Sequence, residues 1–187
     1  MRVCVHRGTR EIGGSCVEVE HDGHALVLDA GRPLDTGPFD EVPIPDVQAF
    51  RYEDPSRVAV LLSHGHPDHY GLSGFFEGLG ARVFLHEEEF ARGHRFWREP
   101  EAFAEASWRL FLDHGTPEGA LQGIRETVEK TRERVHPPQN PLPLRDGEAL
   151  EVAGKRLRVL WTPGHADGHA AFYLEEEGVL LAGDALL

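Results

Sequence analysis

The stretch SHGHPDHYG, residues 63–71, sets His64, His66, Asp68 and His69 within six consecutive positions. Imidazole nitrogens and carboxylate oxygens are the donors that hold zinc, and a catalytic zinc keeps one position open for water. Neighbours on an extended loop aim in different directions, so His64 and His66 can share one ion while Asp68 and His69 turn toward a second. Two ions about 3.5–4 Å apart hold a hydroxide between them as nucleophile, and no serine or cysteine is then required. Asp68 can orient that hydroxide as well as bind metal. More donors follow downstream. LWTPGHADGH places His165, with His169 four residues on, just after an apolar run, and VLLAGDALL places Asp184 after another.

Donors of this kind work only if rigid elements hold them. The run RVAVLLS ahead of the cluster is apolar and β-branched, as expected of a buried central strand, with the cluster in the loop at its C-terminal end. Upstream, MRVCVHR, SCVEVEH and HALVLDAG read as a meander of strands ending at Asp29, followed by a Pro-rich loop from Thr36 to Pro45. GLSGFFEGLG reads as a short helix stopped at Gly80, and ARVFLH as the next strand. From Glu87 to His136 the pattern is helical. An aromatic-rich helix around Phe103 to Phe111 precedes a stronger one from Pro117 to Val135. In the latter, Leu121, Ile124, Val128 and Val135 share a face, Thr116 serves as N-cap and Pro117 takes the first helical position. ALEVAG, KRLRVLWTPG, AAFYLEEEG and VLLAGD return to strands. Strands in both halves with helices between them predict an α+β, two-sheet core with helices outside.

Asp29 in LDAG, the H-x-H-x-D-H cluster at His64, His66, Asp68 and His69, His165 in TPGH and Asp184 in GD resemble the metallo-β-lactamase superfamily of metallohydrolases, in the family's order and over nearly the whole chain. The resemblance implies an αββα sandwich in one domain, residues 1–187, with 87–136 as a helical cap or insertion. It implies that His64, His66 and His165 bind a first metal, that Asp68 and His69 belong to a second, and that Asp184 bridges the two. Asp29 is then a supporting carboxylate that orders the loop under the metals. His169 resembles the second histidine of the TPGHTxGH pattern of glyoxalase II-like members and is expected as a hydrogen-bonding neighbour, not a ligand. The family pattern has one more histidine, well beyond the position of Asp184. The second half of the fold is therefore expected to be incomplete, the second ion weakly held, and the exposed apolar edges prone to self-association.

The function implied is that of a zinc-dependent hydrolase acting through a metal-bound hydroxide on a small ester, thioester or related substrate. TPGHADGH and LLAGDALL resemble glyoxalase II-like thioesterases, whereas HRGTREIGGSCVEVE followed by LDAG resembles the opening of RNA-processing β-CASP nucleases over the N-terminal strands only. Three alternatives stay open: a fragment of such a nuclease, a mononuclear iron persulfide dioxygenase, and a metal-binding fragment that hydrolyses nothing. Phe96, Trp97, Phe103, Trp108 and Phe111 in the helical segment are candidates to line an apolar pocket over the metals for an acyl group.

Composition narrows the partners. A formal net charge of −13 argues against a large phosphate-binding surface, so the expected partner is a small-molecule substrate and not nucleic acid. No apolar run approaches the ~20 residues that cross a bilayer. MRVCVHRGT also lacks the apolar core of a signal peptide, which leads to a cytoplasmic expectation. Cys4 and Cys16 are not expected to pair, and Cys16 in SCVEVE reads as a small buried apolar residue.

Overall fold

The computed structural model describes residues 1–10, 13–34, 42, 44–51, 54, 57–152 and 154–186, with backbone alone at 49, 50, 100–103 and 106. Most of the loop expected from Thr36 to Pro45 lies outside these residues. The run read as a central strand is β4 (Val58–Leu62), buried at every position. Its side chains divide by parity. Val58, Val60 and Leu62 join a core with Tyr70 and Phe76, while Ala59 and Leu61 join a second core with Leu157, Val159 and Phe172. A strand covered on both faces has no polar side, which is why its sequence is a continuous apolar run.

Around β4 lies a six-stranded sheet in the order β1 (Arg2–Arg7), β2 (Cys16–His21), β3 (His24–Leu28), β4, β5 (Arg82–His86) and β6 (Leu142–Leu144). The meander β1 to β3 is antiparallel, and β3 to β6 run parallel. Helices α1 (Pro67–Tyr70) and α2 (Ser73–Gly78) supply Tyr70 and Phe76 to the core on one face. The second sheet, antiparallel, is β7 (Ala149–Val152), β8 (Lys155–Trp161), β9 (Ala170–Leu174) and β10 (Val179–Leu181), in spatial order β10-β9-β8-β7. It closes the other face through Leu157, Val159 and Phe172. The result is the α+β, two-sheet sandwich expected.

Three local features depart from the sequence reading. Strand β6 is a three-residue LPL segment, too short to show a period, and its proline is tolerated because the strand sits at the edge of the sheet. The helical stretch begins as α3 (Glu87–Glu89), passes through a π-helical turn (Phe90–His94) and continues as α4 (Arg95–Arg98), α5 (Pro100–Asp113) and α6 (Glu118–Arg132). Pro117, with ψ of 140°, is the cap of α6 and not its first helical residue, and Thr116 is not the N-cap. Val135 lies past the end of α6, although it is buried in the first core.

Cys4 and Cys16 are both free thiols. Burial pushes the Cys16 thiol up to about 12, since a thiolate inside the core would lose its hydration. An aromatic disulfide reagent at pH 8 should therefore label at most Cys4 in the native protein and both thiols in denaturant; native labelling of Cys16 would contradict this packing. Among the described residues no helix is long and apolar enough to cross a membrane.

Candidate metal centre

Three loops converge at one end of the sandwich. The first follows β4 and carries His64, His66, Asp68 and His69, the last two in the single turn of α1. The second joins β8 to β9 and carries His165 and His169, and the third follows β10 and carries Asp184. A backbone bond locks the first two together, because Ala170 N–H donates to Ser63 O at 2.8 Å, and Thr162 N–H to His169 O at 2.8 Å closes the base of the second. Beneath the first loop the chain passes so closely that a Cβ on Gly31 would lie 1.6 Å from Asp68 O. Only glycine fits there.

The donor atoms form two groups. His64, His66 and His165 are one and His64, His69 and Asp184 are the other, with the ligand atoms within each group no more than 4.8 Å apart. His64 Nε2 lies 3.0 Å from His66 Nδ1, which lies 3.0 Å from His165 Nε2. Ligands at zinc-nitrogen distances of about 2.05 Å in a tetrahedron stand roughly 3.3 Å apart, so this edge pattern fits a zinc-type ion. In the second group Asp184 Oδ2 is 3.2 Å from His69 Nε2 and 3.4 Å from His165 Nε2, a position between the groups. Asp68 falls in neither three-residue group; its Oδ2 sits 3.6 Å from His69 Nε2. His64 belongs to both, which the alternation of the sequence did not suggest.

Behind the donors stands a buried polar scaffold. Asp29, fully buried and in the left-handed region at φ 59°, accepts Ser63 N–H at 2.7 Å on Oδ1. Its Oδ2 accepts the Ser63 hydroxyl at 3.0 Å and His69 Nδ1–H at 2.8 Å. With its proton committed to Asp29, Ser63 Oγ accepts His64 Nδ1–H at 3.0 Å. Both rings are thereby fixed with Nε2 turned inward, the arrangement by which an outer hydrogen bond selects the ligating nitrogen. His169 sits outside both groups. It donates Nδ1–H to Thr162 Oγ1 at 2.7 Å and accepts Asp184 N–H on Nε2 at 3.1 Å, which pins the backbone that presents Asp184.

The electrostatics suit metal binding. Burial, then the neighbouring His69 and His66, hold His64 far below the ordinary imidazole range, and burial followed by His165 lowers His66. Neutral imidazole is the form that binds metal. Burial opposes a charge on His69 too, but the charge and hydrogen bond of Asp29 outweigh it and push His69 up to about 9. A cation at Nε2 would take over the place of that proton.

Ser63, Thr162 and the buried Glu89 are the neighbours that sequence reading missed. A serine beside a histidine and a glutamate in the run EEE carry no signal until the fold sets them against the loops. The aromatic expectation divides. Phe96 and Trp97 flank a cavity that His66 also lines, and Trp97 Nε1–H donates to Gly65 O at 2.7 Å. Trp108 and Phe111 line a different cavity, between α5 and α6, and the side chain of Phe103 lies outside the described residues.

A model of the metallo-β-lactamase superfamily matches residues 9–187. The chain belongs to this superfamily. Its two facing sheets with flanking helices are the metallo-β-lactamase fold. A metallo-β-lactamase family protein from Thermus thermophilus, known from its crystal structure, is 62% identical with a TM-score of 0.78 over 99% of this chain and 60% of that one. The lactamase-like protein vrtG of Penicillium aethiopicum is 31% identical over 161 residues, 79% of this chain and 51% of vrtG. The atrochrysone carboxyl ACP thioesterase AgnL7 of Paecilomyces divaricatus is 29% identical over 157 residues, 78% of this chain and 48% of that protein. This superfamily member thus spans about half the length of the curated relatives it matches.

Proposed function

We propose that this protein is a zinc-dependent hydrolase of small esters or thioesters that carry an apolar acyl group. The observation that carries the reading is the pair of donor groups joined at His64. The resemblance of the chain to a protein named as an acyl carrier thioesterase supports the substrate class. His64, His66 and His165 would hold one ion; His69 and Asp184, with Asp68 beside them, would hold the other. Bound zinc supplies a Lewis acid for the substrate oxygen and a water of lowered pKa. The chain does the rest. Asp29 and Ser63 keep His64 and His69 oriented, His169 holds the Asp184 backbone, and Asp68 Oδ2 accepts a hydrogen of the attacking water and so aims it.

The acyl side is read from two cavities. One, of about 340 Å³, lies beside His66 and is flanked by Phe96 and Trp97. The other, of about 320 Å³, is walled by Trp108, Phe111, Ile124 and Val128 and shares Phe96 with the first. An apolar tail reaching past Phe96 would exchange water for that wall, at roughly 0.8 kcal/mol per buried methylene.

The test is hydrolysis of acyl thioesters and nitrophenyl esters of increasing chain length by protein stripped with a chelator and then reloaded with zinc. Activity should vanish on stripping, return with zinc and rise with chain length. Val128→Trp, which fills the second cavity, should lower kcat/KM for the longest substrate by roughly tenfold, as a few methylenes of discrimination allow, and leave acetyl substrates unchanged. Cleavage of RNA with no turnover of any ester would overturn the reading, as would oxygen uptake that requires iron.

A further inference from the structure

Glu89 is the buried member of the run Glu87–Glu89, 3% exposed while Glu87 and Glu88 face solvent. It stands between the two histidine-bearing loops. Its Oε1 accepts Gly168 N–H at 3.2 Å, and its Oε2 packs against Gly65. Gly65 separates His64 from His66, and Gly168 directly precedes His169 on the loop that carries His165. The side chain is enclosed on three sides. A Cβ on Gly65 would lie 2.5 Å from Oε2, one on Gly93 of the π-helical turn 2.1 Å from the same atom, and one on Gly168 2.5 Å from Cγ. Glycine at each of these positions leaves the space that the carboxylate fills.

We infer that Glu89 is a positioning residue that ties the two ligand loops together, accepting Gly168 N–H from one and packing its other oxygen against Gly65 of the other, thereby fixing where His64 and His66 stand relative to His165. Buried N–H groups need an acceptor, and truncating Glu89 takes away the one that Gly168 N–H uses. The tie rests on geometry alone. Its consequence for metal binding rests on the hydrolase reading.

Two measurements on the full chain separate these. Hydrogen exchange of the metal-free protein should show that Glu89→Ala exposes the amides of Gly65 and Gly168 together; loss of protection confined to residues 87–94 overturns the inference. Zinc affinity, read by chelator competition and by the visible spectrum of the cobalt-loaded protein, should fall roughly 10–100-fold in Glu89→Ala, the range for an outer partner of a metal site. Glu89→Gln should fall less, because the carboxamide keeps one acceptor, and it takes the place of the alanine variant if that does not fold. A merely space-filling Glu89 would lower Tm and leave affinity and spectrum as they were, which also overturns the inference. Parent protein that takes up no zinc sinks the metal reading, and hydrogen exchange still decides the tie.

Discussion

Replacing His64 with alanine will remove the ion held at His64, His66 and His165. His64 Nε2 carries one lone pair and serves one ion at a time, so its loss leaves His66 and His165 alone on the first side, while His69 and Asp184 keep Asp68 beside them on the second. Two protein ligands do not make a structural or catalytic zinc site, which takes three or four. Zinc retained after dialysis should fall by one ion per chain, and activity should fall by more than the ~10–100-fold typical of an outer hydrogen-bond partner. His66→Ala provides the contrast. It removes a donor from the first group only, and the variant should keep metal at His64, His69 and Asp184. An ion in His66→Ala that resists a chelator no better than the one left in His64→Ala would show that His64 does not reach the second group, and two full ions in His64→Ala would show that it is no ligand.

Asp29→Ala should be the most destabilising single change near the site. The substitution leaves three buried donors without an acceptor: Ser63 N–H, the Ser63 hydroxyl and His69 Nδ1–H. Each such group costs about 1–3 kcal/mol when stranded. Losses within one network do not add, so an expected total of about 3–5 kcal/mol matches the removal of one partner from a buried ion pair. Against total stabilities of ~5–15 kcal/mol this is a large fraction. Denaturant unfolding of metal-free protein checks it. Asp29→Asn should fall between, because its carbonyl still accepts Ser63 N–H while its amide faces donors. A change below about 1 kcal/mol for the alanine variant would mean that the scaffold is not what holds the loops.

The candidate ligands are legible because they sit at the ends of strands whose apolar runs are themselves legible. β4 announces its double burial in VAVLL, and the cluster follows it within two residues. Asp29, at the end of the meander, is expected behind the metals, and its contacts with Ser63 and His69 give that expectation its geometry. What the sequence leaves dark is whatever depends on approach between distant segments. Glu89 and Gly168 are 79 positions apart, and nothing distinguishes Glu89 from its two exposed neighbours except the loops that close over it. Ser63 gains its role from two bonds to Asp29, through its N–H and its hydroxyl. The grouping of donors is also beyond reach: alternation on a loop separates His64 from His69, yet the turn of α1 brings both rings to Asp184. The aromatic residues share a helical segment but not a surface, since the π-helical turn and the break before α5 send Trp97 to Gly65 and Trp108 to α6.

The most direct test of the metal centre is elemental analysis of the protein after equilibrium dialysis against zinc, run beside His64→Ala. The account predicts two zinc ions per chain, with the one at His64, His66 and His165 resisting a brief chelator wash, and loss of that ion in the variant. Zinc at background in the parent protein, or an equal amount in both proteins, would contradict it.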